Sequence, residues 1–295
     1  MTMEYTIEND YLIVTVTTWG AQVKSVIRKY DDVEHIWQAD EQVWGYHAPI
    51  LFPHTGKVVD GLIEAKGEVY PSPTHGFARL MEHTLVRQTE KSIVLELCSS
   101  EETLGKFPYE FRLVSAFTLE GDTLHHNLTV ENRDTDKLRF GIGYHPAFAV
   151  PFDSGHSLED YELRFSESES PICLNCQPLG LIHGDIYTLG SNIRSIPVNE
   201  ELFANGSHCM MNLKSKTMGL YEKDTGRGVV CDISDFPYTL IWSMRGGAPK
   251  FVCIEPWHSL PSPEDGSIRW EDKPAAAILE PGESWSCNLS TSYVR

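Results

Sequence analysis

The stretch FRLVSAFTLEGDTLHHNLTVE (Phe111–Glu131) decides the fold class. Two runs of strand length with alternating apolar residues, Phe111 to Leu119 and Leu124 to Glu131, flank the turn Glu120-Gly121-Asp122. Period-two alternation on both sides of a glycine-containing turn is the pattern of an antiparallel hairpin. Working outward, similar short runs recur at Tyr11 to Thr17, Ser92 to Leu97, Leu138 to Tyr144, Gly228 to Ile233, Tyr238 to Trp242 and Phe251 to Ile254. No long stretch carries apolar residues at helical spacing. An all-β protein built as a large antiparallel sandwich is predicted.

The 295 residues, 41% of them hydrophobic, are enough for a large core. No repeat, low-complexity tract or Pro/Gly/Ser linker divides them, although Pro151 to Pro178 is more polar than its surroundings, so 1–295 is predicted as a single domain. Trp44 to Arg79 and Ser259 to Pro274 are rich in Gly, Pro and aromatics without period and read as long functional loops. Forty-two acidic residues against 24 basic ones give a net charge of −18, which repels nucleic acid and anionic membrane surfaces. A small-molecule partner is expected, in a monomer or a homodimer. Met1-Thr2-Met3-Glu4-Tyr5 has no signal-peptide character, no apolar run approaches membrane-spanning length, and seven cysteines lie scattered, so a cytoplasmic location with reduced thiols is expected. The Asn-x-Ser/Thr matches at Asn127, Asn205 and Asn288 are then coincidental.

Three segments set an ionisable residue among glycine, proline or aromatic residues. In Gly141-Ile142-Gly143-Tyr144-His145-Pro146, alternation puts Leu138, Phe140, Ile142 and Tyr144 on one face and sets His145 over Gly141 and Gly143 on the other. Glycines inside a strand point to something approaching the backbone, and a sugar ring suits the space; a hydrogen-bonded structural histidine is the alternative. In Cys253-Ile254-Glu255-Pro256-Trp257, Glu255 shares an apolar face with Phe251 and Cys253. Burial there raises a carboxyl toward the range of a general base, unless a salt bridge makes Glu255 structural. Pro256 is expected to stop the ladder and Trp257 to offer a stacking surface. In His75-Gly76-Phe77-Ala78-Arg79, His75 and Arg79 lie in a proline-flanked loop. His126, alternating with Leu124, Leu128 and Val130, reads as a satisfied core histidine.

Together the three segments resemble the aldose 1-epimerase (galactose mutarotase) family, in its shorter bacterial branch with His-Gly-Phe-Ala-Arg, Gly-x-His-Pro and Ile-Glu-Pro-Trp in that order. The resemblance runs from Trp19-Gly20-Ala21 through Leu51-Phe52-Pro53 to Leu279-Glu280-Pro281-Gly282-Glu283. It implies a galactose mutarotase-like supersandwich and interconversion of the α and β anomers of a free hexose. It further implies Glu255 as base at the anomeric hydroxyl, His145 as acid at the ring oxygen and His75 as a sugar-binding histidine, with no metal or cofactor required. Proton removal from one oxygen and delivery to its neighbour is what ring opening demands of such a pair.

Pro53-His54-Thr55-Gly56-Lys57 departs from the family pattern, which has arginine after the turn; lysine keeps the charge but loses the planar fork. Lys57, Arg79, Trp257 and Asp235 are candidate substrate contacts, with Asp232 the alternative to Asp235. Lys57 and Arg79 also suit a hexose-6-phosphate mutarotase, although their bland role is pairing with acids such as Asp60 or Glu82. A sugar-binding protein without turnover, using Trp242 and Trp257 as platforms, is a third reading, disfavoured by the presence of an acid and base pair. His183-Gly184-Asp185 and Cys173-Leu174-Asn175-Cys176 have metal-ligand spacing but lack the companions that a site needs.

Overall fold

In the computed structural model, which describes residues 2–295, the hairpin forms as predicted: Phe111–Glu120 pairs antiparallel with Thr123–Asn132, Glu120 facing Thr123 across the turn. Its alternate residues Phe111, Leu113, Phe117, Leu128 and Val130 are fully buried. The hairpin lies within a nine-stranded sheet, ordered Ile193–Pro197, Tyr161–Glu169, Thr217–Glu222, Gly228–Asp232, Ser284–Val294, Thr123–Asn132, Phe111–Glu120, Ser92–Cys98 and Thr84–Gln88. A second, eight-stranded sheet centres on His208–Met211, Tyr238–Trp242 and Phe251–Trp257. Strands within both sheets pair antiparallel, and the one α-helix among the described residues is the single turn Glu101–Leu104, capped by Ser100. No helix is long and apolar enough to cross a membrane.

The inner faces of the two sheets share one core, in which Leu113 and Phe117 meet the layer of Tyr144, Val252 and Ile254. The Tyr144 hydroxyl donates to the carbonyl of His126 at 2.7 Å and so ties one sheet to the other. A buried phenol needs such a partner, because an unpaired hydroxyl in a core costs about 1–3 kcal/mol. His126 stacks on Phe117 with ring centroids 4.1 Å apart, in the core as expected, but its Nε2 has no hydrogen-bond partner.

The structure also corrects the reading of the chain. Ser284–Val294, absent from the predicted strands, is an eleven-residue strand at the centre of the larger sheet. Its serines and threonines pair across the sheet with polar partners, Thr129 with Ser286 and Thr123 with Ser292, so its outward face looks like loop composition. The run Leu138 to Tyr144 is two strands: Leu138–Phe140 pairs with Ala277–Leu279, and Gly143–Tyr144 joins the other sheet. Pro256 does not end its strand. On one flank Phe251–Trp257 is paired only at Trp257 and from Cys253 back to Phe251, so no ladder bond is asked of Pro256 on that side.

Candidate active site

The strand Phe251–Trp257 is buried along its whole length because both of its faces are covered. Val252 and Ile254 face the inter-sheet core, while Phe251, Cys253 and Trp257 join clusters on the opposite face. Tyr238–Trp242 sets Leu240 opposite Glu255 on one side. On the other, Gly143 lies opposite Trp257 and Ala147 opposite Cys253. Carrying that register inward from either end places His145 opposite Glu255, and cross-strand partners share a face. Nε2 of His145 accordingly lies 3.3 Å from Oε2 of Glu255, with the side chains 7% and 2% exposed.

The glycines of the His145 strand have a different purpose from the one expected. A Cβ at Gly143 would sit 2.6 Å from Cδ1 of Trp257, and one at Gly141 2.0 Å from Oγ of Ser259. Protein side chains approach the backbone at these points. The close packing at Gly143 fixes the indole that forms one wall of the site.

His75 adopts a left-handed conformation, φ 68°, followed by Gly76 at φ 70°. A Cβ at Gly76 would lie 2.3 Å from the carbonyl oxygen of Phe52, so only glycine fits there. The turn directs the imidazole edge-on to both His145 and Trp257, at centroid distances of 5.3 and 5.5 Å. The backbone N–H of Gly56 donates to Nδ1 of His75 at 3.0 Å. A neutral imidazole that accepts at Nδ1 carries its proton on Nε2, so His75 offers an N–H donor.

These groups border one cavity of 350 Å³, at the lower end of the ~300–1,000 Å³ range of small-molecule sites. Glu255, His145, His75, Lys57, Arg79 and Trp257 all line it. Asp235 does not: it is exposed, and the titratable groups that feel its charge are His258 and Cys287. Asp232 accepts from the backbone N–H and hydroxyl of Ser234 and caps a turn. Of the two aspartates, neither reaches the cavity.

Residues that the sequence did not single out complete the walls. Trp44 stacks on His145 at 5.0 Å and 25°, Tyr46 lies under the Arg79 guanidinium at 4.6 Å, and Gln177 and Ser207 close one side. Trp44 and Tyr46 open the segment predicted as a functional loop; their aromatic character within it was the available signal. Nothing in the sequence marks Gln177 or Ser207.

Burial controls the charges. It drives the Glu255 carboxyl well above the usual carboxylate range, opposed only by the Trp257 indole N–H. Desolvation likewise pushes His145 down to about 3, and His75 well below its ordinary value, with repulsion from His145 and Arg79 adding to the effect. The alternative role of Lys57 and Arg79, pairing with nearby acids, is not seen: among the described residues neither cation has a carboxylate within 4.0 Å, and Asp60 and Glu82 are not their partners. Arg79 donates from Nη2 to the carbonyl of Thr74 at 3.1 Å, and the Lys57 stem lies against Gly180, where a Cβ would meet its Cδ at 3.1 Å.

A set of motifs that converges on one buried glutamate–histidine contact has a counterpart in known proteins. The aldose 1-epimerase family profile matches residues 3–292. This chain belongs to the aldose 1-epimerase family. It is 35% identical over 290 residues to the plasmid-encoded protein LacX of Lactococcus lactis subsp. lactis, covering 95% of each chain. Among solved structures, a galactose mutarotase related enzyme from Lactobacillus acidophilus superposes with a TM-score of 0.94 at 28% identity, covering 99% of this chain and 98% of that one. A galactose mutarotase-like protein from Lactobacillus casei gives a TM-score of 0.91 at 29% identity, covering 98% and 99%. The supersandwich of this epimerase-family chain is therefore the galactose mutarotase-like fold that its motifs implied.

Proposed function

We propose that the protein is an aldose 1-epimerase that interconverts the α and β anomers of a hexose, with Glu255 and His145 as the proton-transferring pair. The observation that carries this is the cross-strand contact between His145 Nε2 and Glu255 Oε2 at the cavity border, 3.3 Å apart. The anomeric hydroxyl and the ring oxygen are attached to the same carbon, so two proton-handling groups must act at neighbouring atoms.

The pair holds one proton. Burial by itself keeps it on Glu255 and leaves His145 neutral. Sugar hydroxyls that donate to the carboxylate offset its desolvation and allow the proton to pass to His145. Glu255 then removes the proton from the anomeric hydroxyl as His145 delivers one to the ring oxygen, the ring opens to the aldehyde, and rotation about C1–C2 precedes closure with the roles exchanged. Nε2–H of His75 is placed to donate to a substrate oxygen, and Trp257 and Trp242 offer apolar surface to the ring. Polarimetry of freshly dissolved α-anomers tests the proposal. Glu255→Gln is expected to lower the catalysed rate about 10²–10⁴-fold while the protein stays folded. Binding of sugar without any acceleration by the wild type would instead make it a carbohydrate-binding protein.

One observation favours a phosphorylated hexose over a free one. Lys57 and Arg79 line the cavity without a carboxylate within 4.0 Å, while burial opposes charge on the carboxyl and histidines beside them. A local positive site within a chain of net charge −18 suits an anionic substituent. Comparing kcat/KM for glucose, galactose and glucose 6-phosphate decides between the two substrates.

A further inference from the structure

Cys253 has no part in the chemistry above, yet it lies two residues before Glu255 on the same face of the strand, and Ala147 and Trp242 are its cross-strand neighbours. Ligand atoms of His145, Cys253 and Glu255 all lie within 4.8 Å of one another, and all three residues are buried. Oε2 of Glu255, on a side chain 2% exposed, has no hydrogen-bond partner in the protein. An unpartnered buried carboxylate oxygen beside an imidazole and a thiol is a donor set without an acceptor.

We propose that His145, Cys253 and Glu255 form a zinc-binding site beside the sugar cavity, and that zinc bound there silences the enzyme by occupying its acid–base pair. Thiolate, imidazole and carboxylate are the three donor types that tetrahedral zinc accepts, at ~2.0–2.3 Å, which sets neighbouring donors ~3.3–3.8 Å apart. The 3.3 Å between His145 Nε2 and Glu255 Oε2 already meets that spacing. His145 and Glu255 line the sugar cavity, through which an ion and a further ligand would reach the group. Charge balances as well. A dication held by one thiolate and one carboxylate is neutral, and ligands must give up their protons to bind it. A net-neutral buried assembly avoids the penalty that an unpaired ion would bring.

A second cluster, Asp153, His156 and Glu222, has comparable spacing but a different content. The Arg227 guanidinium already lies against Glu222 at 2.7 Å and pairs with Asp153, so a cation is built in. At Cys253, by contrast, no lysine or arginine among the described residues lies within 4.0 Å of Glu255.

The test uses purified, metal-free wild type with zinc alone and, separately, cobalt(II) alone as a spectroscopic substitute. Expected are one tightly bound zinc with release of protons, a thiolate-to-cobalt absorption band, and loss of mutarotation that a chelator restores. Cys253→Ser and Cys253→Ala should bind zinc at least about tenfold more weakly, lose the band and keep basal mutarotation within about twofold. Absence of the thiolate band in wild type overturns the site, as does equal zinc sensitivity in the folded Cys253 variants, which would move the metal to another thiol. Rate enhancement by zinc would overturn the inhibitory role. The inhibition rests on the proposed catalytic roles; calorimetry and the cobalt spectrum do not, so a protein that binds zinc through Cys253 but never shows mutarotation refutes the catalytic reading and leaves the site standing.

Discussion

In the proposed mechanism Glu255 and His145 share a proton, because burial opposes charge on either one where the register puts them. On that proposal a pair with one proton is competent and a pair with none or two is not. The two apparent ionisations then belong to the pair, the lower one where a second proton is added and the upper one where the last is lost. Burial lowers His145 to about 3 and raises Glu255 well above the usual carboxylate range, so the two ionisations are driven apart and loss of the last proton closes the window on the alkaline side. Mutarotation corrected for the spontaneous rate should therefore show an alkaline limb in kcat/KM. A catalysed rate that stays level up to about pH 10 would refute the shared-proton assignment. Lys57 and Arg79 act at the same scale. With a 6-phosphate substrate, Lys57→Met should raise KM by about tenfold or more, with the penalty shrinking as salt increases, and leave kcat nearly unchanged, because a contact made equally in ground and transition states is what is lost. Unchanged kinetics with every sugar would return Lys57 to the role of a wall residue.

Strand register and the glycines that permit it operate one level up. Gly143 faces Trp257 across the ladder and lies 2.6 Å, by its missing Cβ, from that indole. Gly143→Ala must displace Trp257 or the strand, an overpacking that typically costs about 1–3 kcal/mol. For a chain of this length that corresponds to a melting temperature lower by several degrees, at about 2–4 °C per kcal/mol. Because Trp257 is a cavity wall, KM for the sugar should rise in the same variant. Wild-type stability together with wild-type KM would show that the indole does not depend on this close approach.

Across the whole molecule, neutral histidines recur in the interior. Burial lowers His35 and His83 to about 4, and His54, His126 and His145 to about 3. Each has a folded pKa below its unfolded value of 6.5, so between those values the unfolded chain binds more protons. Stability is present above pH ~6.5 and is lost as the pH falls toward 3–4, with a slope of up to about 1.4 kcal/mol per pH unit for each histidine in that window. Urea midpoints should thus fall between pH 7 and 5, above the range where ordinary carboxylates titrate, with the raised Glu255 carboxyl opposing the trend but outnumbered by the histidines. A midpoint constant over that interval would mean that the interior accepts imidazolium.

The amino-acid sequence by itself determined the all-β class, because alternation along Phe111–Glu120 and Thr123–Asn132 is a local property that no tertiary contact has to supply. It also determined the face of His145 and of Glu255, since side chains in a strand alternate whatever they pair with. It missed Ser284–Val294, whose outward serines and threonines carry no hydrophobic period, and it assigned Asp235 to a site that this residue does not reach. Only the tertiary structure decided that Phe251–Trp257 and the chain around His145 are neighbours in a register that sets Glu255 opposite His145. Only it decided that Trp44 stacks on that imidazole and that Cys253 faces the same two groups. Contacts between segments more than a hundred residues apart depend on which strands pair, and strand pairing is fixed by the packing of two sheets as a whole, which no local stretch of sequence encodes.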